Sequence, residues 1–226
     1  MVYKVLGEQM PVVICQLDRG ESVNCEAGAM SWMTDKLDMK TQGGGAKKML
    51  GRMFSGESMF LNTYTAKEDN QEIAFATSFP GEIRVLEITP ESPIIVQKSG
   101  FLAADPGVEL SVFFQKKGMT GIFGGEGFIM QKLSGKGTAF VELDGSIIEY
   151  NLGKGEKIVC ETGSLAMVDA SCSIDIVRIK GVKNMLFGGE GLFNTVITGP
   201  GKVYLQTMPI SNLAGRIAYM IPTSSN

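Results

Sequence analysis

The chain has 226 residues, 44% hydrophobic and 20% charged, which is ample material for a packed core. A net charge of −3 argues against the whole-surface basic field that phosphate binding needs. There is no histidine, so Ser-His and Cys-His nucleophile pairs and histidine-containing zinc sites are excluded.

Taken in chain order, Met1 to Met10 lacks the basic start and long apolar run of a secretory signal. No apolar run in the chain approaches the roughly 20 residues that span a bilayer. The expectation is a soluble, cytoplasmic protein. Val12-Val13-Ile14 reads as the first strand. Asp69-Asn70, within about 13 extra residues around Ala66 to Ser78, predicts an added hairpin. Pro80-Gly81 is a turn, and Glu82 to Ile88 a strand of alternating pattern. Thr138 to Leu143 and Ser146 to Tyr150 flank Asp144-Gly145, a hairpin signal because that turn needs positive φ. Pro200-Gly201 repeats the punctuation of Pro80-Gly81. Ser211 is a candidate cap for a tail helix carrying Leu213, Ile217 and Met220, ended by Pro222.

Two phrases recur three times. Phe54-Ser55-Gly56-Glu57, Phe123-Gly124-Gly125-Glu126 and Phe187-Gly188-Gly189-Glu190 share one pattern, with the glutamates 69 and 64 residues apart. Leu17-Asp18-Arg19-Gly20-Glu21 leads to Val23, Cys25, Glu26, Gly28 and Met30. Leu152-Gly153-Lys154-Gly155-Glu156 leads likewise to Ile158, Cys160, Glu161, Gly163 and Leu165. The middle copy is worn, with Ile95, Gln97, Gly100 and Leu102 at the matching places. Gly28, Gly100 and Gly163 stand 28, 25 and 26 residues before the glycines of their Gly-Glu phrases. This phasing predicts an all-β fold of three tandem repeats around an internal pseudo-threefold axis, with a short C-terminal helix. The repeats span 1–80, 81–146 and 147–210, with a tail over 211–226. Val23, Ile95 and Ile158 are expected to point inward together, as are Met30, Leu102 and Leu165.

The Gly-Glu-x-x-x-x-Glu-x-Gly-[Ala/Ser]-[Met/Leu] opening and the Phe-Gly-Gly-Glu-Gly phrase resemble the family of the altered-inheritance-of-mitochondria protein twenty-four, over nearly the whole chain. The resemblance implies a fold similar to the tryptophan RNA-binding attenuation protein, with three tandem β-sandwich-like repeats, and homo-oligomers. Mitochondrial members of that family are linked to inner-membrane architecture, but this chain lacks an Arg-rich presequence. The family supplies no catalytic residues to carry over.

Several sets of residues are candidates for function. Glu57, Glu126 and Glu190 are weak metal candidates: threefold placement would bring three carboxylates near one axis. A glutamate fixing a Gly-rich turn explains them more simply. The Gly-rich runs lack the Gly-Lys-[Ser/Thr] of a phosphate loop and are flanked by predicted strands, so no nucleotide site is expected. Cys15, Cys25, Cys160 and Cys172 lack ligand spacing and read as small buried hydrophobes. Before each Gly-Glu phrase lies a basic-apolar stretch: Lys47, Lys48 and Arg52 with Met49 and Met53; Lys116 and Lys117 with Met119; Lys180 and Lys183 with Met185. Cations beside flexible apolar side chains suit an anionic lipid surface or an adaptable protein interface. RNA is disfavoured, because aromatic stacking residues are few. The leading expectation is a non-enzymatic, self-associating binding or scaffold protein without a cofactor. The alternatives are association with an anionic membrane surface through the three basic-apolar loops, and metal or small-molecule binding at the Gly-Glu loops.

Overall fold

The computed structural model describes residues 1–42, 61–116, 127–178 and 193–220. The described residues are mostly β-strand. The first stretch holds β1 (Val2–Leu6), β2 (Val12–Leu17), β3 (Ser22–Glu26), β4 (Trp32–Met33) and β5 (Leu37–Gln42). The second holds β6 (Leu61–Ala66), β7 (Gln71–Ala76), β8 (Gly81–Ile88), β9 (Ile94–Gln97), β10 (Phe101–Ala104) and β11 (Val108–Lys116). Then come β12 (Phe128–Gly135), β13 (Gly137–Asp144), β14 (Ile147–Leu152), β15 (Lys157–Glu161), β16 (Leu165–Asp169) and β17 (Ser173–Arg178). The last stretch holds β18 (Phe193–Thr198), β19 (Gly201–Gln206) and α1 (Ile210–Met220). A 3-10 turn, Lys98–Gly100, joins β9 to β10, and another, Thr162–Ser164, joins β15 to β16.

Among the described residues these strands form four antiparallel sheets. Two are six-stranded, in the orders β5-β6-β3-β10-β13-β8 and β11-β12-β9-β16-β19-β14. One is four-stranded, β1-β2-β7-β4, and one three-stranded, β15-β18-β17. Alternating side chains give the inner sheets two apolar faces. In β13, Phe140 joins the core shared with β2 and β7, while Ala139, Val141 and Leu143 join a second core with Val96 and Leu133. In β9, Val96 faces that second core and Ile95 a third, with Leu165, Val168 and Ile197.

These three cores correct the expected inward sets. Val23 belongs to the first core and Ile95 to the third, where Ile158 also packs. Met30 and Leu102 pack in the first core and Leu165 in the third. The middle stretch runs one residue out of step with its glycine alignment. Gly100 is the last residue of its turn, Lys98–Gly100, whereas Gly163 is the middle residue of Thr162–Ser164.

Two turn expectations are also corrected. Asp144-Gly145 is no hairpin: β13 pairs with β8 and β10, whereas β14 pairs with β19 in another sheet. Gly145 does adopt φ +73°, but its N–H donates to Pro80 O at 2.8 Å as the chain crosses between sheets. Asp69-Asn70 is likewise a crossing. Asn70 has φ 58°, and the chain passes from β6, beside β3 and β5, to β7, beside β2 and β4. The helix starts at Ile210, before Ser211, and its first N–H is satisfied by a distant carboxylate, Asp144. Among the described residues no helix is long and apolar enough to cross a membrane.

Candidate functional site

Glu57, Glu126 and Glu190 lie outside the described residues, as do Lys47, Lys48, Arg52, Lys117, Lys180 and Lys183. Lys116 closes β11, its backbone opposite Phe128. The strand ends that bracket these stretches are described. Gln42 pairs with Leu61, Lys116 with Phe128, and Arg178 with Phe193.

Register and connectivity bring the three bracketing ends together. Leu61 lies opposite Glu26, and the neighbouring Cys25 opposite Ala103, close to the start of β10. Met130, two residues beyond Phe128, lies opposite Gln97, which leads through a three-residue turn to Phe101. Asn194, next to Phe193, lies opposite Glu161, which leads through the second three-residue turn to Leu165. Two short turns and these pairings therefore link the three strand ends to one another.

A cleft of about 320 Å³ opens beside Glu26 and Gln97, lined also by Gly100, Glu142, Asp144, Gln206 and Ile210 among others. A second of about 380 Å³ adjoins it and shares Glu26, Ser78 and Glu142. Glu142 and Asp144 stand two apart on β13 and so project to one face. Burial raises the Glu142 carboxyl above its ordinary pKa, opposed by the Ser78 N–H donating to Oε2 at 2.7 Å and the Ser78 hydroxyl donating to Oε1 at 3.3 Å. Burial also raises Asp144, opposed by the Ile210 N–H donating to Oδ2 at 3.0 Å. Gln206, almost wholly buried, donates through Nε2 to Gln97 Oε1 (3.1 Å) and Gly163 O (2.8 Å), and accepts from the Asp144 N–H (3.1 Å).

These groups hydrogen-bond mainly to one another and to backbone, which fixes the junction between the two six-stranded sheets. The clefts offer carboxylate and amide groups to a small polar molecule. Among the described residues no three metal-ligating side chains converge. The thiols of Cys15, Cys25 and Cys160 are pushed up to about 12 by burial, so they are not poised as nucleophiles. Sequence reasoning missed Glu142, Asp144 and Gln206. A polar residue on an alternating strand reads as solvent-facing, and nothing local marks an edge where two sheets meet.

The architecture and the recurring phrases define an all-β protein of one family. The chain belongs to the family described as "Mitochondrial biogenesis AIM24", whose model matches residues 3–208. An uncharacterised protein of Streptococcus pyogenes serotype M6 is 31% identical over 228 residues, covering 96% of this chain and 90% of the relative. The crystal structure of protein SPYM3_0169 from Streptococcus pyogenes superposes with a TM-score of 0.80 at 24% identity, covering 97% of this chain and 99% of that one, which shows the fold alone.

Proposed function

We propose that the chain is a non-enzymatic binding or scaffold protein that self-associates and presents its three Gly-Glu stretches from one end, and that it works in the cytoplasm. The observation that supports self-association is the apolar character of the two edges of the four-stranded sheet, β1 and β4. Every residue of β1 is exposed, including Val2, Tyr3, Val5 and Leu6, and so are Trp32 and Met33 of the edge strand β4. Edge strands carry unpaired N–H and C=O groups, and proteins that stay monomeric blunt them with charge, proline or bulges. Lys4 is the one charge in β1. Light scattering on the gel-filtration eluate is expected to give a multiple of 24.3 kDa. A monomer mass across the accessible concentration range overturns the reading.

The linkage of the three bracketing strand ends to one another favours a second reading, contact with an anionic membrane surface through Lys47, Lys48, Arg52, Lys116, Lys117, Lys180 and Lys183. Each cation near such a surface contributes about 1 kcal/mol, so seven acting together exceed what one loop supplies. Co-sedimentation with vesicles containing acidic lipid, lost in neutral vesicles, supports this reading. Equal binding to both, or none, removes it.

A further inference from the structure

Each six-stranded sheet is built from two three-stranded halves joined at one central pair. In the first, β5-β6-β3 meets β10-β13-β8 through β3 and β10. In the second, β11-β12-β9 meets β16-β19-β14 through β9 and β16. The remaining sheets are the same halves without a counterpart. β17-β18-β15 ends on β15, and β4-β7-β2, extended by β1, ends on β4.

The pairings within each half fix which residues correspond. Met33 lies opposite Ile73, Ala104 opposite Ala139 and Val168 opposite Val203. Trp32 therefore stands where Ala103 and Met167 stand, and Met33 where Ala104 and Val168 stand. Both observed junctions then share one register. Ala103 faces Cys25 and Ala104 faces Asn24; Met167 faces Val96 and Val168 faces Ile95. On β15 the matching residues are Cys160 and Val159.

Exposure marks the same positions as uncovered. Trp32 is 50% exposed, against 0% for Ala103 and 1% for Met167. Met33 is 39% exposed against 0% for both Ala104 and Val168, and Val159 is 58% against 6% for Asn24 and 0% for Ile95. Cys160 is only partly buried, whereas Cys25 is fully buried.

From these registers we infer that β4 of one copy pairs antiparallel with β15 of a second copy, Trp32 opposite Cys160 and Met33 opposite Val159. The occupant is a second copy because the chain makes this junction twice itself, and the two strands that match its halves, β4 and β15, pair with each other in no sheet among the described residues. The joined sheet has the order β17-β18-β15-β4-β7-β2-β1, which continues the pattern of the two complete sheets. The contact is heterologous: one surface of each chain meets a different surface of the next, so copies add head to tail into a closed ring or a filament. Trp32 seats on Cys160 and Ile158 and completes the third core.

This inference rests on the self-association reading and names its contact. Trp32→Asp and Val159→Asp each place a charge at an exposed position, so each chain folds, as far-UV circular dichroism checks. Each variant alone is expected to be monomeric by light scattering. Mixed in equal amounts they should give a 1:1 pair and nothing larger, because one intact β4–β15 contact remains per pair. Trp32 is the only tryptophan in the chain, so emission from the native protein should shift to the red on dilution. Native assemblies that both variants leave unchanged overturn the β4–β15 contact while self-association stands. A native protein that is monomeric throughout overturns both.

Discussion

The ring of Tyr3 meets the ring of Phe140 edge-on, with centroids 5.1 Å apart and an interplanar angle of 72°. The contact joins an edge strand that is otherwise exposed to a side chain with no solvent exposure. Phe140 also packs with Val13, Cys15 and Phe75, so it holds two sheets together.

Phe140→Ala should cost about 3–5 kcal/mol, since it removes a buried ring and leaves a cavity between sheets. Tyr3→Ala should cost about 1 kcal/mol, the scale of an aromatic pair at a partly exposed edge. Urea unfolding with an unchanged m-value measures both. Equal losses at the two positions contradict this placement of β1.

Asp144 caps a helix that begins 66 residues further along. Asp144→Ala leaves the Ile210 N–H without its acceptor and should cost about 1 kcal/mol. Asp144→Asn retains an acceptor oxygen and should lose less. The chemical-denaturation midpoint reads both, and amide exchange at the start of α1 should rise in the alanine variant alone.

Glu142 and Asp144 are both raised by burial from ordinary values of 4.5 and 3.8. Below those values the carboxyls are protonated in folded and unfolded chains alike. As pH rises past them the unfolded chain releases its protons first, so these two groups make stability fall with rising pH. The fall ends once the folded carboxyls ionise. Glu142→Gln keeps an acceptor for Ser78 and abolishes its share of that slope. Its melting temperature should exceed that of the native protein at pH 7 and converge with it near pH 4.

The thiols of Cys15, Cys25 and Cys160 stay protonated at neutral pH. A disulfide-exchange reagent at pH 8 should label them orders of magnitude more slowly in the folded protein than in denaturant. Rapid labelling of Cys15 or Cys25 in the native state would show that the first core opens.

The strands were legible in the sequence because their signals are local. Glu82 to Ile88 and Thr138 to Leu143 alternate, and both fall inside strands of the structure. The partners were not legible. Asp144-Gly145 looks like a hairpin turn because only its φ requirement is visible in sequence. Whether the next strand folds back or departs depends on β8 and β10, which already flank β13. The one-residue slip at Ile95 has the same origin. A glycine match fixes sequence spacing, whereas the turn Lys98–Gly100 fixes the spatial one. The cleft at Glu142 leaves no local mark in the sequence because burial there arises from two sheets meeting, a long-range fact.

The central pairs β3–β10 and β9–β16 also bear on synthesis. When β3 leaves the ribosome, Ala103 and its neighbours on β10 have yet to be made. Each early segment must wait with an open hydrogen-bonding edge until the next third of the chain arrives. Such delayed, non-local pairing slows folding and exposes nascent chains to one another. Ending the chain after β7 leaves β3 without β10, and ending it after β13 leaves β9 without β16.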